Sequence, residues 1–518
     1  MKKTIFTILV GIMVLPLTGQ NLHVNLFGKV NPEPIHYAGC WGWTSPMGEE
    51  YALIGAYEGT YFISIDDSTN LFSADFIPGP GSNWREMTVV GDYGFIVTEG
   101  LGPGRGLQVV DLSFLPDSVS LIATFDSTFA TSHIISKNIE GDSYVYISGT
   151  NTSGGVHIID ISQPDKPVEV GVYDPGYYIH DCHVRGNRLY AAAFYQAQMD
   201  VVDISDRSNP VKIASISDPQ GNTHSSWTTR DHNYLFATNE LDGTQATVWD
   251  IRDISDIEPM AHYSANLQSL VHNPYIRGDY AFISHNTEGL RVVDFKDPTL
   301  PVEVGYYDTW AGNSGGFHGL WSAFPFFPSG KIIGANRHDG LYIFTFDSTS
   351  ANRIYGAVVD SIDGSPISSA MVVINGDTLI SNFQGKIAYG FLANDTANYS
   401  VKTSASGYFD KTLFLNQPLA DSTYITIPLA KPDMTSAEDF EINVSVVPTD
   451  LDGVFQINVP FFDKWELLDI HGKIINVNHN QPADIIDLRP YSPGVYVLRI
   501  WPRKNSQPIW KKILFHGQ

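Results

Sequence analysis

The sequence predicts an all-β protein. Three observations carry that reading. A short phrase recurs along the first two thirds of the chain at intervals of 43 to 51 residues. Between its copies, β-branched and aromatic residues stand in short runs separated by Gly, Asp, Asn and Pro, the chemistry of strands and turns. Almost no stretch places apolar residues at helical spacing.

The chain starts "MKKTIFTILVGIMVLPLTGQ". Two lysines precede an apolar run, Thr4 to Leu17, and small residues follow. This is the pattern of a secretory signal peptide over residues 1–20, with cleavage near Gly19–Gln20. The run is short for a membrane span, which needs about 20 apolar residues, and no later stretch qualifies. The expectation is an exported protein without a transmembrane span in its mature form.

The recurring phrase is "VVDLS" (Val109–Ser113), "IIDIS" (Ile158–Ser162), "VVDIS" (Val201–Ser205), "VWDIR" (Val248–Arg252) and "VVDFK" (Val292–Lys296), with weaker copies "FISID" (Phe62–Asp66) and "IFTFD" (Ile343–Asp347). The equivalent positions are Ser64, Asp111, Asp160, Asp203, Asp250, Asp294 and Thr345. Each unit reads as four short strands. The first opens near a His or Trp ("HDCHV"), and the second is aromatic and small ("RLYAAAF"). The third holds the phrase itself, and the fourth follows a Pro turn ("PVEVGYYD"). Four strands per ~45 residues is the signature of a propeller blade. Seven units therefore predict a seven-bladed β-propeller over residues 22–350. The last unit, from Phe317, lacks a fourth strand. "HVNLFGKV" (His23–Val30) has the missing pattern, so the N-terminal strand is expected to close the ring and cover an open sheet edge.

These repeats resemble the LVIVD-repeat proteins of the choice-of-anchor B family. The resemblance covers the propeller nearly end to end. It rests on "CWGWTSPMGEEYALIG", "NWREMTVVGDYGFIV", "THSSWTTRDHNYLFATNELDG", "VHNPYIRGDYAFIS" and "GLWSAFPFFPSG". It implies exported propellers whose C-terminal anchors differ between members. It brings no settled biochemical activity.

Residues 352–431 begin "IYGAVVDSIDGSPISSAMVVINGD" and alternate strands with Gly and Asp turns, a small β-sandwich pattern. Gly356, Gly364, Pro366, Ala370, Gly385 and the "SGY" at Ser406–Tyr408 make this segment similar to the carboxypeptidase regulatory-like domain. That implies a structural or presentation unit without peptidase residues, and no zinc-ligand spacing stands in it. Residues 441–518 form a further β segment. "DIHGK" (with Asp469, Gly472 and Lys473), "DLRPYSPGVYVLRI" (with Gly494 and Tyr496) and the final "KKILF" (with Lys511 and Lys512) resemble the type A sorting domain of the type IX secretion system. The segment departs from that family at Val447–Pro448, where Asn-Pro is usual. The resemblance implies a route through the inner membrane and then, by the type IX secretion machinery, through the outer membrane. The sorting domain is then removed, and the product stays at the cell surface or is released to the extracellular space. Without the resemblance, the segment reads as another plain β-sandwich.

Formal net charge is -25. An acidic surface repels phosphate backbones and anionic lipid, so nucleic acid and membrane-surface partners are not expected. The two cysteines, Cys40 and Cys182, can pair in an oxidising compartment. They lie in different repeats, and two free buried thiols is the simpler reading.

The starts of the repeats hold the candidate site. One histidine recurs at a single place: His133, His180, His224, His272 and His318. Arg85 stands there in the second unit, and Trp41 or Trp43 in the first. Three residues further on are Trp227, Tyr275 and Trp321, with His183 as the fourth unit's counterpart. Alternation along a strand sends equivalent side chains to one face, so five imidazoles should converge near one mouth of a central channel. Two readings follow. The histidines are hydrogen-bonding buttresses between blades, which their repetition in five units favours. Alternatively, His180, His224 and His272 hold a divalent metal, since neutral imidazole suits Zn, Cu, Fe or Ni. Such a site with an open position would activate water. Asp181 and Cys182 are unrepeated and read as local packing or as tuning of one side of the channel.

The repeated Asp reads as a cap for the turn that follows it. Glu240, Asp242 and Gly243 in "NELDG" read as a turn, with a calcium contact as the alternative. No nucleophile elbow, Walker loop, dinucleotide fingerprint or HExxH occurs. The expected function is an exported, non-enzymatic propeller that presents a binding surface to a protein or glycan ligand, with no cofactor. The alternative is a hydrolase or oxidoreductase using a metal at the channel histidines.

Overall fold

A computed structural model describes residues 21–33, 36–392, 399–415, 421–432, 445–449, 453–458, 462–479, 485–502 and 508–516. The signal-peptide segment, residues 1–20, lies outside them. The described residues are all-β, and their one helical element is a three-residue 3-10 turn, Phe194–Gln196. They fall into two compact units, one running to Ala351 and one beginning at Asn352, residues 390–393 aside. Among the described residues, no helix is long and apolar enough to cross a membrane.

The first unit holds seven antiparallel sheets built on four strands each. Strand order follows chain order, as short turns between neighbours require. The second sheet, for example, runs Arg85–Val90, Tyr93–Thr98, Leu107–Asp111 and Ser120–Phe125. The fourth runs Cys182–Arg185, Arg188–Ala193, Gln198–Asp203 and Val211–Ser217. The seventh departs from chain order. Leu320–Phe324, Ile332–Asn336 and Gly340–Phe346 are completed by Val24–Val30 from the start of the chain.

One irregularity identifies Val24–Val30 as an equivalent of the other fourth strands. In each of the six other sheets the third and fourth strands pair with a bulge at the same place. The N-terminal strand pairs with Gly340–Phe346 through the same slip, between Leu26 and Gly28. A bulge adds one residue to one strand and increases the local twist, so its recurrence means the seven sheets share one shape.

The "VVD" strands do not alternate apolar with polar because each sheet is covered on both faces. Val201 packs between the fourth and fifth sheets and Val202 between the third and fourth. Val109 and Val110, like Val292 and Val293, divide in the same way between two cores. One such core joins each consecutive pair of sheets, and a further one joins the seventh to the first through Phe324, Ile333 and Ile343 against Tyr37, Cys40 and Ile54. Gly42 makes that last approach close, for a Cβ there would collide with the rings of Phe324 and Phe327. The first strand Thr223–Thr228 is wholly buried, whereas the fourth strand of the preceding sheet, Val211–Ser217, is largely exposed.

The repeated Asp behaves as the turn chemistry requires. Oδ1 of Asp111, Asp160 and Asp203 accepts the backbone N–H two residues on at 2.8 to 2.9 Å, and Oδ1 of Asp250 and Asp294 does so at 3.1 Å.

The second unit contains four sheets. A three-stranded sheet has Ala351–Asp360 between Lys386–Leu392 and Ser422–Leu429, the last pairing being parallel. A four-stranded sheet follows the order Asp377–Ile380, Met371–Ile374, Tyr399–Ser404, Lys411–Leu415. Further on, Ser445–Pro448, Val454–Asn458 and Ile485–Asp487 make one sheet, and Ile474–His479, Phe462–Leu468, Gly494–Pro502 and Ile509–Phe515 make another. These last two share one core, in which Ile457 and Ile486 meet Trp465, Leu467, Leu498 and Ile513.

Candidate functional site

The opening ends of the first strands bring four of the five repeated histidines into a row. Ring centroids are 4.3 Å apart for His133 and His180, 4.5 Å for His180 and His224, and 4.3 Å for His224 and His272. Trp321 ends the row, 4.3 Å from His272. His318 does not join it. It is exposed and lies flat on Trp310, 4.7 Å away. Register places Trp321 there instead: Leu320 pairs with Asn336 and Ser322 with Ala335, the same one-residue slip that flanks His224 between Thr223 and Ser226 in the fifth sheet. Trp321, three residues past His318, takes the place expected of it.

Hydrogen bonds tie the row to the neighbouring sheets. His224 Nδ1 donates to the His272 carbonyl at 3.1 Å, and His272 Nδ1 donates to the Trp321 carbonyl at 2.7 Å. Each link runs from one first strand to the next, which is the buttress that repetition favoured. Arg85 fills the same role in the second sheet. It is fully buried, and its guanidinium donates to the carbonyls of Ala56 at 3.0 Å and Pro80 at 2.6 Å. Burial lowers its pKa to about 10.

Two carboxylates approach the row, and repeat starts alone do not reveal either. Glu99 lies just after the second strand of its sheet, and its Oε1 is 2.6 Å from His133 Nδ1. Burial opposes a charge on His133, but Glu99, Glu86 and Glu240 outweigh it and hold the pKa above its ordinary value. Glu240 occupies the matching place in the fifth sheet. Its carboxylate faces His272 Nε2 at 3.4 Å, His180 Nε2 at 3.8 Å and His224 Nε2 at 3.9 Å. Burial, reinforced by the neighbouring imidazoles, pushes His180 well below its usual value and His224 to about 3. Aligning the ends of the second strands, "VTE" with "TNE", is the signal that could have found both glutamates. Glu240 is therefore aimed at the imidazoles, while Asp242 accepts the Gly316 N–H at 3.1 Å.

Further along the first strands, Glu86, Asp181, Ser225, Asn273 and Tyr275 line a small interior cavity of about 60 Å³. Burial raises Asp181 to about 6 and Glu86 to about 8. Cys40 and Cys182 border the same cavity as free, buried thiols, and burial pushes Cys40 up to about 12.

At the other end of these strands lies a cavity of about 410 Å³ lined by Trp41, Trp43, Lys137, Arg185, Trp227 and Phe326, among others. Trp41 and Trp43 thus stand with Val89 and Lys137, four residues past Arg85 and His133, rather than in the histidine row. His183 lines the small interior cavity instead. Its ring is 4.7 Å from Trp227 and its Nε2 is 2.9 Å from Thr228 Oγ1. Tyr275 follows at 5.3 Å from Trp227. The Trp227 indole N–H is buried without a hydrogen-bond partner. Lys137 Nζ lies 5.6 Å over the Trp41 ring, and Arg185 donates to Thr228 Oγ1 at 2.7 Å.

Residues 139–175, 178–218 and 273–309 match the LVIVD repeat. The chain carries LVIVD repeats. They fall on the third, fourth and sixth sheets, so each LVIVD match takes in a "VVD" strand and the Pro-turn strand after it. The match at 178–218 includes His180, Asp181 and His183. No curated protein matches the chain.

In the second unit, Asp469 Oδ1 accepts the N–H groups of His471 at 2.9 Å and Lys473 at 3.0 Å, and Gly472 takes the left-handed conformation that closes this turn. Gly494 opens a strand on which Tyr496 is buried and donates to the Ser492 carbonyl. Lys511 and Lys512 pair with Leu498 and Val497. Val447–Pro448 ends a regular strand, and Thr449 continues the pairing with its N–H 2.9 Å from the Val454 carbonyl.

Proposed function

We propose that this chain is an exported, seven-bladed β-propeller that presents a binding surface to a glycan or protein outside the cell, without catalysis of its own. The closed ring is supported by the seven equivalent third-to-fourth strand bulges and by cores that link every sheet to the next and the seventh to the first. Two small β-sandwiches follow it, a carboxypeptidase regulatory-like module and a type IX sorting domain. The first acts as a spacer, and the second engages the secretion machinery and is then removed.

The cavity between Trp41, Trp43, Trp227 and Phe326 is the observation that carries the binding role. Aromatic faces suit the C–H faces of a sugar ring, and amphipathic Trp is enriched where ligands bind. Arg185 at this cavity is paired with Glu140 at 3.4 Å, whereas Lys137 donates to the Val89 carbonyl, and its charge in a chain of net charge -25 favours a glycan bearing a carboxylate.

Retention on an array of neutral and acidic glycans, followed by calorimetry with the best ligand, tests the reading. Lys137→Met and Trp41→Ala should each weaken binding by at least about tenfold, the weight of one ordinary polar or aromatic contact. Unchanged affinity in both variants, or no retention of any glycan or acidic peptide, would overturn it. For the route, the mature N-terminus near Gln20 and loss of extracellular product on deleting residues 441–518 are the expected results.

A further inference from the structure

Three imidazole edges face one carboxylate at the far end of the channel from the aromatic cavity. A carbonyl only accepts hydrogen bonds, so the contacts of His224 Nδ1 with the His272 carbonyl and of His272 Nδ1 with the Trp321 carbonyl place the ring hydrogen on Nδ1 in both. Their Nε2 atoms then turn toward Glu240. A proton shared with the carboxylate would draw the atoms to about 2.7–2.9 Å, yet the separations are 3.4, 3.8 and 3.9 Å. His272 Nε2 and His180 Nδ1 are buried without a hydrogen bond of ordinary geometry among the described residues, and the approach of His272 to Glu240 stays at 3.4 Å. Lone pairs facing a carboxylate across such a gap repel unless a cation lies between them.

The gap has the right size. A tetrahedral zinc-class ion with bonds of ~2.0–2.1 Å separates its ligand atoms by ~3.3 Å. Ligand atoms of His180, His224 and Glu240 already lie within 4.8 Å of one another. The supporting contacts also fit, since a metal-bound imidazole ordinarily gives its other N–H to a carbonyl or carboxylate. His133 stands outside the set because it is not among the residues whose ligand atoms lie within 4.8 Å of one another.

We propose that His180, His224 and Glu240, joined by His272, whose Nε2 stands 3.4 Å from Glu240 but outside the closest group, close on a divalent transition cation of the zinc class as a four-ligand site. The site draws on the fourth, fifth and sixth sheets. With four protein ligands it is closed, and it leaves no position for an activated water. Its role is to fasten the sheets at one mouth of the channel, independently of what the aromatic cavity binds.

Metal analysis of the purified protein after loading with zinc and dialysis tests this. One ion per chain is expected, and cobalt substituted for it should show the strong visible absorption of a four-coordinate site. Glu240→Gln and His180→Gln should each weaken zinc binding by more than about 100-fold, beyond the 10–100-fold that loss of a supporting outer partner brings. Neither side chain carries a link between first strands, so both variants should keep the parent's circular dichroism. Failure to retain stoichiometric zinc or copper would overturn the proposal. Undiminished affinity in both variants, or a six-coordinate cobalt spectrum in the parent, would do the same, and the cobalt result holds even if a variant misfolds.

Discussion

Completing the seventh sheet with the N-terminal strand Val24–Val30 makes a prediction that a pair of cysteines can test. Asn25 pairs directly with Thr345, the first exposed and the second half-buried. Opposed residues of an antiparallel pair stand about 4.5–5.5 Å apart at Cα, within the roughly 4.4–6.8 Å that a disulfide spans. Asn25→Cys with Thr345→Cys should therefore crosslink without moving the backbone. The bond would close a loop of about 320 residues, for which chain entropy sets a ceiling of about 6 kcal/mol of stabilisation. Among the described residues, the side-chain hydrogen bond sacrificed is an exposed one from Asn25 to Asp347 at 2.8 Å. Cys40 and Cys182 should not compete, since both thiols are buried and burial raises the pKa of each. The assay is urea unfolding of the oxidised and reduced double variant, with gel mobility and thiol counting to establish the crosslink. A gain of about 2–4 kcal/mol is expected, the usual yield of a disulfide. Thiols that stay reactive in the folded protein, or a crosslink that forms only between two chains, would refute closure by the N-terminal strand.

Arg85→Met should destabilise the first unit by roughly 2–4 kcal/mol in urea unfolding. Two charge-assisted bonds, to the carbonyls of Ala56 and Pro80, are lost at about 1.5–3 kcal/mol each, partly offset by removing a buried guanidinium. A loss under ~0.5 kcal/mol, no more than an ordinary surface substitution costs, would show that Arg85 is no buttress. Phe282→Ala, fully buried between the sixth and seventh sheets, should cost about 3–5 kcal/mol by the same measurement. In the second unit, hydrogen bonding to Lys431, then the Ile362 N–H and Tyr408, lowers Asp360 from 3.8 to about 2. The unfolded chain takes up that proton at higher pH, so the stabilisation is present above about pH 4 and is lost as pH falls toward about 2. Asp360→Asn should flatten the acid-unfolding profile in that window, and an unchanged profile would contradict the assignment.

The architecture was legible because it is written locally. The "VVDIS" phrase combines apolar residues for a strand covered on both faces with an Asp that caps the next turn. Both are satisfied within a few residues of the chain, so they recur at every unit. Even the distant pairing of Val24–Val30 with Gly340–Phe346 was readable, because the last repeat visibly lacked a strand and the N-terminus carried its pattern.

The site was legible only in part. The sequence placed His133, His180, His224 and His272 at one level, because a repeated position on a repeated strand repeats its direction. It aligned His318 with the other histidines by motif, but pairing across the seventh sheet puts Trp321, three residues on, at that place, since Leu320 pairs with Asn336 as Thr223 does with Asn239. It could not assign Glu240, which follows a different strand from the histidines and meets His180, His224 and His272 only once three sheets are packed side by side. Sequence by itself determined the repeat, the strand chemistry and the histidine level, all properties of short segments. Tertiary structure decided the company those histidines keep, because distances between side chains on different sheets depend on bulges and packing that no single segment encodes.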